Sequence, residues 1–207
     1  GLSVDLTIPP LVPALVDGFA MSEDRRAALR EAIDRKDAAA VRELAGDAAD
    51  ILGRLMKGTG PGTDALAILR SLELPAAPQR ELERLQTVLE GLRKRIPDLD
   101  VTVDPVENRG FEYHTGVAFT FFARGERSEI GAGGRYVASL NGAGNDNGEP
   151  ATGFTLYVDP ILRVLPDPEK APRVFVPSPE DFAAGRDLRA KGWVTIPALS
   201  EAADSEA

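Results

Sequence analysis

One change of period constrains this chain most. Leu82, Leu85, Leu89, Leu92 and Ile96 recur three or four residues apart, the spacing of a single helix face, and Pro97 ends the run. Just beyond it, Leu99, Val101 and Val103 alternate with polar residues, the spacing of a strand with one buried face. A chain that switches from helical to extended period in this way is neither all-α nor all-β. Further strand-like runs follow at Val117–Phe122, closed by the turn Arg124-Gly125-Glu126, and at Thr152–Val158. Helices followed by hairpin-linked strands predict an α+β fold built on an antiparallel sheet.

Upstream of Pro97, residues 21–97 read as a helical block expected to stand partly apart. Ser22 caps a helix carrying Leu29 and Ile33, and Asp37 caps a second with Val41, Leu44, Ala45, Ala48, Leu52 and Leu55. That second helix is expected to stop at Gly58, in the turn Gly58-Thr59-Gly60-Pro61-Gly62, and a short third carries Leu66, Leu69 and Leu72. The leucine stripe is too short for a coiled coil and reads as core packing. In residues 1–20, Val4, Leu6 and Ile8 alternate, and Pro9, Pro10 and Pro13 are expected to break any helix. The chain opens on Gly1 in what reads as the middle of a fold, so upstream sequence is expected. Residues 98–170 carry the remaining strands and a long loop, Asn141-Gly142-Ala143-Gly144-Asn145-Asp146-Asn147-Gly148. Residues 171–207 read as a small β-α-β extension. Its strands are Val174–Val176 and Trp193–Ile196, and Ser178-Pro179-Glu180-Asp181 starts a helix that runs to Gly192. The acidic end, Ser200–Ala207, is expected to fray.

Charge and composition exclude several functions. A net charge of −9 and a pI near 4.8 repel phosphate backbones, so nucleic acid is not an expected partner. The absence of cysteine excludes disulfides and thiolate sites. With His114 the only histidine, neither a transition-metal site nor a second imidazole for a triad is expected, and no cofactor is implied. No run of about 18 apolar residues is present, so the expectation is a soluble, cytoplasmic protein without membrane contact.

Three stretches carry chemistry. Arg109-Gly110-Phe111-Glu112-Tyr113-His114-Thr115-Gly116 places a guanidinium, a carboxylate, a phenol and an imidazole at the mouth of a strand. Alternation sends Arg109, Phe111 and Tyr113 to one face and Glu112 and His114 to the other. Gly131-Ala132-Gly133-Gly134-Arg135-Tyr136 allows close approach of backbone to a ligand or to another strand. Pro150-Ala151-Thr152-Gly153-Phe154-Thr155-Leu156-Tyr157-Val158-Asp159-Pro160 is a strand running into a capped helix.

In this order, from Arg109 to Leu165, the three stretches resemble the histidyl-tRNA synthetase family. The resemblance implies a class II aminoacyl-tRNA synthetase-like antiparallel sheet with a helical insertion and a small C-terminal β-α-β remnant. It implies a histidine pocket built from Arg109, Glu112, Tyr113, His114, Gly133, Gly134, Arg135 and Tyr136. These side chains are expected to converge on a small polar cavity. It also implies a degenerate motif 3 at Gly153, Tyr157, Asp159 and Pro160. Pro160 stands where that family carries an ATP-binding arginine, Tyr157 where it carries glycine, Val137 where it carries an acid, and His114 where it carries the second pocket tyrosine. A kept pocket beside a lost nucleotide site resembles the non-catalytic regulatory-subunit branch of the family, whose wording Arg-Gly-Phe-Glu-Tyr recurs at Arg109–Tyr113. That branch implies a hetero-oligomer with a catalytic short-form ATP phosphoribosyltransferase at the first step of histidine biosynthesis, self-association, and histidine as a possible ligand. A synthetase fragment would need the motif 3 arginine and a basic tRNA-facing surface. A free-standing paralogue would bring appended domains.

Overall fold

The computed structural model describes residues 1–107, 113–138, 148–167, 170–177 and 182–198, the Phe182 side chain excepted. The chain forms two compact units, Gly1–Val164 and Leu165–Ala207, dividing ahead of position 171.

The first unit is built on a six-stranded sheet of β1 (Leu2–Thr7), β2 (Gly60–Pro61), β3 (Asp100–Asp104), β4 (His114–Ala123), β5 (Gly131–Ala138) and β6 (Glu149–Leu156), in the order β2-β3-β1-β4-β5-β6. All neighbours are antiparallel except β1 and β3, which run parallel with Ser3 opposite Asp100. The expected strands near 99–104, 116–124 and 152–158 share this one sheet, although β1 separates the first from the second. The glycine segment 131–134 does not lie against the sheet; it is part of the sheet, paired to β4 and β6.

Alternation along the strands gives the sheet two unlike faces. Val4 and Leu6 of β1 sit beside Phe121 and Phe119 of β4 and Val101 and Val103 of β3, making an apolar face. The other face brings Asp5 beside Thr120 and Thr102, and Thr7 beside Ala118 and Asp104. Helix α6 (Ala76–Arg95) packs on β4, and α1 (Leu11–Val16) packs on α6. Leu82, Leu85 and Leu89 are fully buried. The helices α2 (Glu23–Asp34), α3 (Ala38–Leu44), α4 (Ala49–Lys57) and α5 (Gly62–Arg70) add Leu29, Ile33, Leu52, Leu55 and Leu69 to the same cluster as Val4, Leu6 and Val103. The helical block therefore shares one core with the sheet and does not stand apart.

Both expected caps form. Ser22 Oγ accepts the Arg25 N–H at 3.4 Å, and Asp37 Oδ1 accepts those of Ala39 and Ala40 at 3.1 and 3.0 Å. Two expectations are corrected. The stripe from Val41 to Leu55 is carried by α3, a 3-10 turn at Gly46–Ala48 and α4, because Gly46 takes φ 55° and turns the chain out of the helix. The prolines at 9, 10 and 13 do not prevent a helix. Pro10 stands just before α1 with helical backbone angles, and Pro13 lies in the first turn, where no intrahelical N–H bond is lost.

The second unit pairs β7 (Arg173–Val176) with β8 (Val194–Pro197) in parallel, joined by α8 (Phe182–Ala190), the β-α-β arrangement read from the sequence. The start expected at Ser178–Asp181, most of the 141–148 loop and the end from Ser200 lie outside the described residues.

Candidate functional site

The glycine-rich strand β5 sets up the site. Its register places His114 of β4 directly opposite Tyr136, with a shift between His114 and Ala118 that marks a bulge. Gly134 lies beneath the imidazole, where a Cβ would come within 2.6 Å of His114 Nε2. Gly153 of β6 lies beneath the Tyr136 ring, where a Cβ would stand 3.2 Å from the phenol oxygen. Gly133 serves the other face: a Cβ there would meet Phe119 Cζ at 2.8 Å and Phe154 Cβ at 2.7 Å. The Gly-Ala-Gly-Gly run thus makes room for rings above and for close strand packing below.

A cavity of about 270 Å³ opens on the polar face, lined by Tyr113, His114, Ala132, Gly133, Tyr136, Gly153, Phe154 and Thr155. The Tyr113 ring centroid lies 3.9 Å from that of His114 and 6.4 Å from that of Tyr136, edge-on to the latter. His114 is buried and Tyr113 is exposed at the mouth. Two phenols and an imidazole around a glycine floor can exchange hydrogen bonds with a small flat ring and stack on it. Among the described residues no lysine or arginine lines the cavity. None of the described His, Asp and Glu residues group in a way that could hold a metal ion, and no described helix is long and apolar enough to cross a membrane.

Of the residues singled out in the sequence, the fold brings together Tyr113, His114, Gly133, Tyr136 and Gly153, with Gly134 underneath. Arg109 and Glu112 lie outside the described residues. Arg135 does not converge with Tyr136. Consecutive strand residues face opposite ways, and Arg135 lines a separate groove against α6 with its stem over Gly116. Conversely, Tyr113 and His114 share the cavity, because β4 begins only at His114 and strict alternation does not reach Tyr113. Ala132, Phe154 and Thr155 were not singled out; Thr155 is legible in retrospect, two residues beyond Gly153 on one strand.

The remaining motif 3 positions do not line the cavity. Tyr157 N–H donates to Ile130 O at 2.9 Å, and the Glu129 carboxylate beside its phenol pushes the phenol pKa up. Asp159 and Pro160 fall in the first turn of α7 (Val158–Val164), with Asp159 exposed and Pro160 buried. Arg163 of α7 reaches back to Glu126 in the β4–β5 turn, at 2.6 Å.

The fold is thus a mixed sheet that carries an aromatic-lined cavity on its glycine-rich strands. The family model described as histidyl-tRNA synthetase matches residues 1–161, and the chain belongs to that family. A regulatory subunit of ATP phosphoribosyltransferase from Paramagnetospirillum magneticum is 47% identical over 206 residues, spanning 100% of this chain and 52% of its own length. The chain spans about half the length of the curated relatives it matches. Among solved structures, an ATP phosphoribosyltransferase regulatory subunit/histidyl-tRNA synthetase from Bacillus halodurans superposes with a TM-score of 0.70 at 20% identity, covering 98% of this chain and 55% of that one. A histidyl-tRNA synthetase from Nostoc sp. reaches the same TM-score, 0.70, at 20% identity, covering 98% and 53%. The fold is therefore common to both branches and does not choose between them.

Proposed function

We propose that this chain is part of a non-catalytic regulatory subunit of short-form ATP phosphoribosyltransferase, acting with a catalytic subunit at the first step of histidine biosynthesis. The observation that carries this reading is 47% identity, along the whole chain, to a relative named as such a subunit. The motif 3 region supports it: a buried proline at position 160 supplies neither charge nor donor where a synthetase needs an arginine for ATP. The Tyr113, His114 and Tyr136 cavity is the site for histidine, whose imidazole suits phenol hydroxyls and a stacking ring. Histidine bound there biases the assembly toward an inhibited state by the difference in its affinity for the two states.

The test is to mix the protein with a purified short-form catalytic subunit and follow both complex formation and ATP phosphoribosyltransferase activity. A complex with raised, histidine-sensitive activity is expected. Histidine-dependent ATP–pyrophosphate exchange by the protein itself, or failure to associate with the catalytic subunit, would overturn the reading. Calorimetry with histidine, on wild type and Tyr136→Phe, tests the cavity assignment separately.

A further inference from the structure

Along β6, Gly153 lies beneath the Tyr136 ring and Thr155 lines the cavity. The same row continues to Tyr157, whose N–H bond to Ile130 O prolongs the β5–β6 ladder one residue past Leu156. Alternate residues of a strand share a face and stand about 7 Å apart, so Tyr157 is on the cavity side, one step beyond Thr155. Its phenol meets the Glu129 carboxylate. Glu129, then burial, then the Tyr113 phenol oppose its ionisation, so the phenol keeps its proton and donates it to the carboxylate. Tyr113 is the ring at the mouth of the cavity, and its presence among these neighbours puts the Tyr157–Glu129 pair at that mouth.

The backbone around Glu129 is held from both sides. Ile130 N–H donates to Phe121 O at 2.8 Å, and Ile130 O accepts from Tyr157. On the other side Glu126 ties the turn, accepting the Arg127 and Ser128 N–H groups at 2.8 and 3.2 Å. The Glu126 charge is matched by Arg163. The Glu129 charge is not: the residue is half-buried, and it makes no ion pair with any described residue. A carboxylate partly withdrawn from water without a counter-ion gains most from a cation that a ligand brings.

We propose that Glu129, positioned by Tyr157, binds the α-ammonium of the amino acid whose imidazole enters the cavity. This rests on the reading of the cavity as a histidine site, and it adds the group that tells the amino acid from other imidazoles. The ring stacks beside His114 and Tyr113, the chain of the ligand crosses Thr155, and the ammonium donates to Glu129 at the far end of the row. A carboxylate that accepts one phenol proton keeps lone pairs for an ammonium, which has three N–H donors to offer.

The test is calorimetry with three ligands: histidine, histidinol, which keeps the ammonium and lacks the carboxylate, and imidazolepropionate, which keeps the carboxylate and lacks the ammonium. Wild type is expected to bind the first two about tenfold more tightly than the third. Glu129→Gln should weaken the first two about tenfold and leave imidazolepropionate unchanged, so that the preference disappears. Glu129→Asp keeps the charge and should keep part of the preference. Tyr157→Phe frees the carboxylate to turn away and should reduce the preference without abolishing it. Because Glu126 and Ile130 hold the turn, all three variants should melt as wild type. Equal binding of all three ligands by wild type, or a Glu129→Gln variant that retains the preference or weakens all three alike, would overturn the proposal and leave the cavity a histidine site. Failure of wild type to bind any of the three would overturn the histidine reading and this inference with it.

Discussion

Lys36 is the one described non-glycine residue with positive φ, at 55°. It closes α2 in a Schellman turn, with Asp37 N–H donating to Ala32 O at 2.9 Å and Lys36 N–H to Ile33 O at 2.8 Å. A left-handed conformation costs a side-chain-bearing residue about 1 kcal/mol, and glycine would avoid that. What lysine adds is an ammonium on the buried Asp104 carboxylate, whose other oxygen accepts the Thr59 hydroxyl and the Val106 N–H, both at 3.2 Å. Asp104→Asn should lower stability by about 2 kcal/mol in urea titration. The hydrogen bond to Asp104 raises the Lys36 pKa above its ordinary 10.5. The stabilisation is thus complete below that value and fades as pH rises through the folded one, so mutant and wild type should converge in alkali. Asp5 has the same sign in a lower pH window: burial raises its carboxyl pKa, so the folded state loses stability at this group as pH climbs above 3.8. In the cavity, Gly134→Ala should push the imidazole aside. With one histidine in the sequence, a single imidazole NMR signal reports this, and an unmoved signal would contradict the geometry. The residue types of the site were legible, but their directions only partly so. The side of the sheet chosen by Arg135 follows from alternation, whereas the direction of Tyr113 depends on where β4 begins.

At the scale of elements, periodicity told most where packing repeats. The stripe read for α6 is buried at Leu82, Leu85 and Leu89, half-buried at Leu92 and exposed at Ile96, which lies just past the helix end, and both caps form. Where one residue's backbone decides, as at Gly46 or Pro13, the pattern carries no mark of the break or of its tolerance. The glycine segment of β5 lacks the side chains that announce a strand, so only its neighbours reveal it. Short helix α7 depends on a tie that composition does not disclose. The Arg163 guanidinium, with the Ser128 and Arg127 backbone amides, lowers the Glu126 pKa from 4.5 to about 2. A depressed carboxylate stabilises above its unfolded value and stops doing so on acidification. Exchange of α7 amides should therefore accelerate as pH falls from 4.5 toward 2 relative to other helices. Glu126→Gln should show fast α7 exchange already at neutral pH; a wild-type rate there would sink the idea.

The whole first unit has a single core, in which Leu85 touches the fate of both layers. Leu85→Ala should cost about 2–5 kcal/mol and lower protection in α6 and β4 together; separate transitions for helices and sheet would contradict a shared core. Fold class could be read from the change of period at Pro97, but the parallel neighbour of β1 could not, since pairing over such a distance leaves no local trace. That pairing has a consequence for synthesis. β1 is central in the sheet, yet its register partners are Asp100 and Phe122, far later in the chain. At about 5–20 residues per second, a growing chain holds Val4 and Leu6 without their strand partners for several seconds. The helices, whose contacts are local, can form meanwhile and give those side chains an apolar surface to rest on. The order of the elements thus lets the helical block shelter its own central strand until the sheet can close around it.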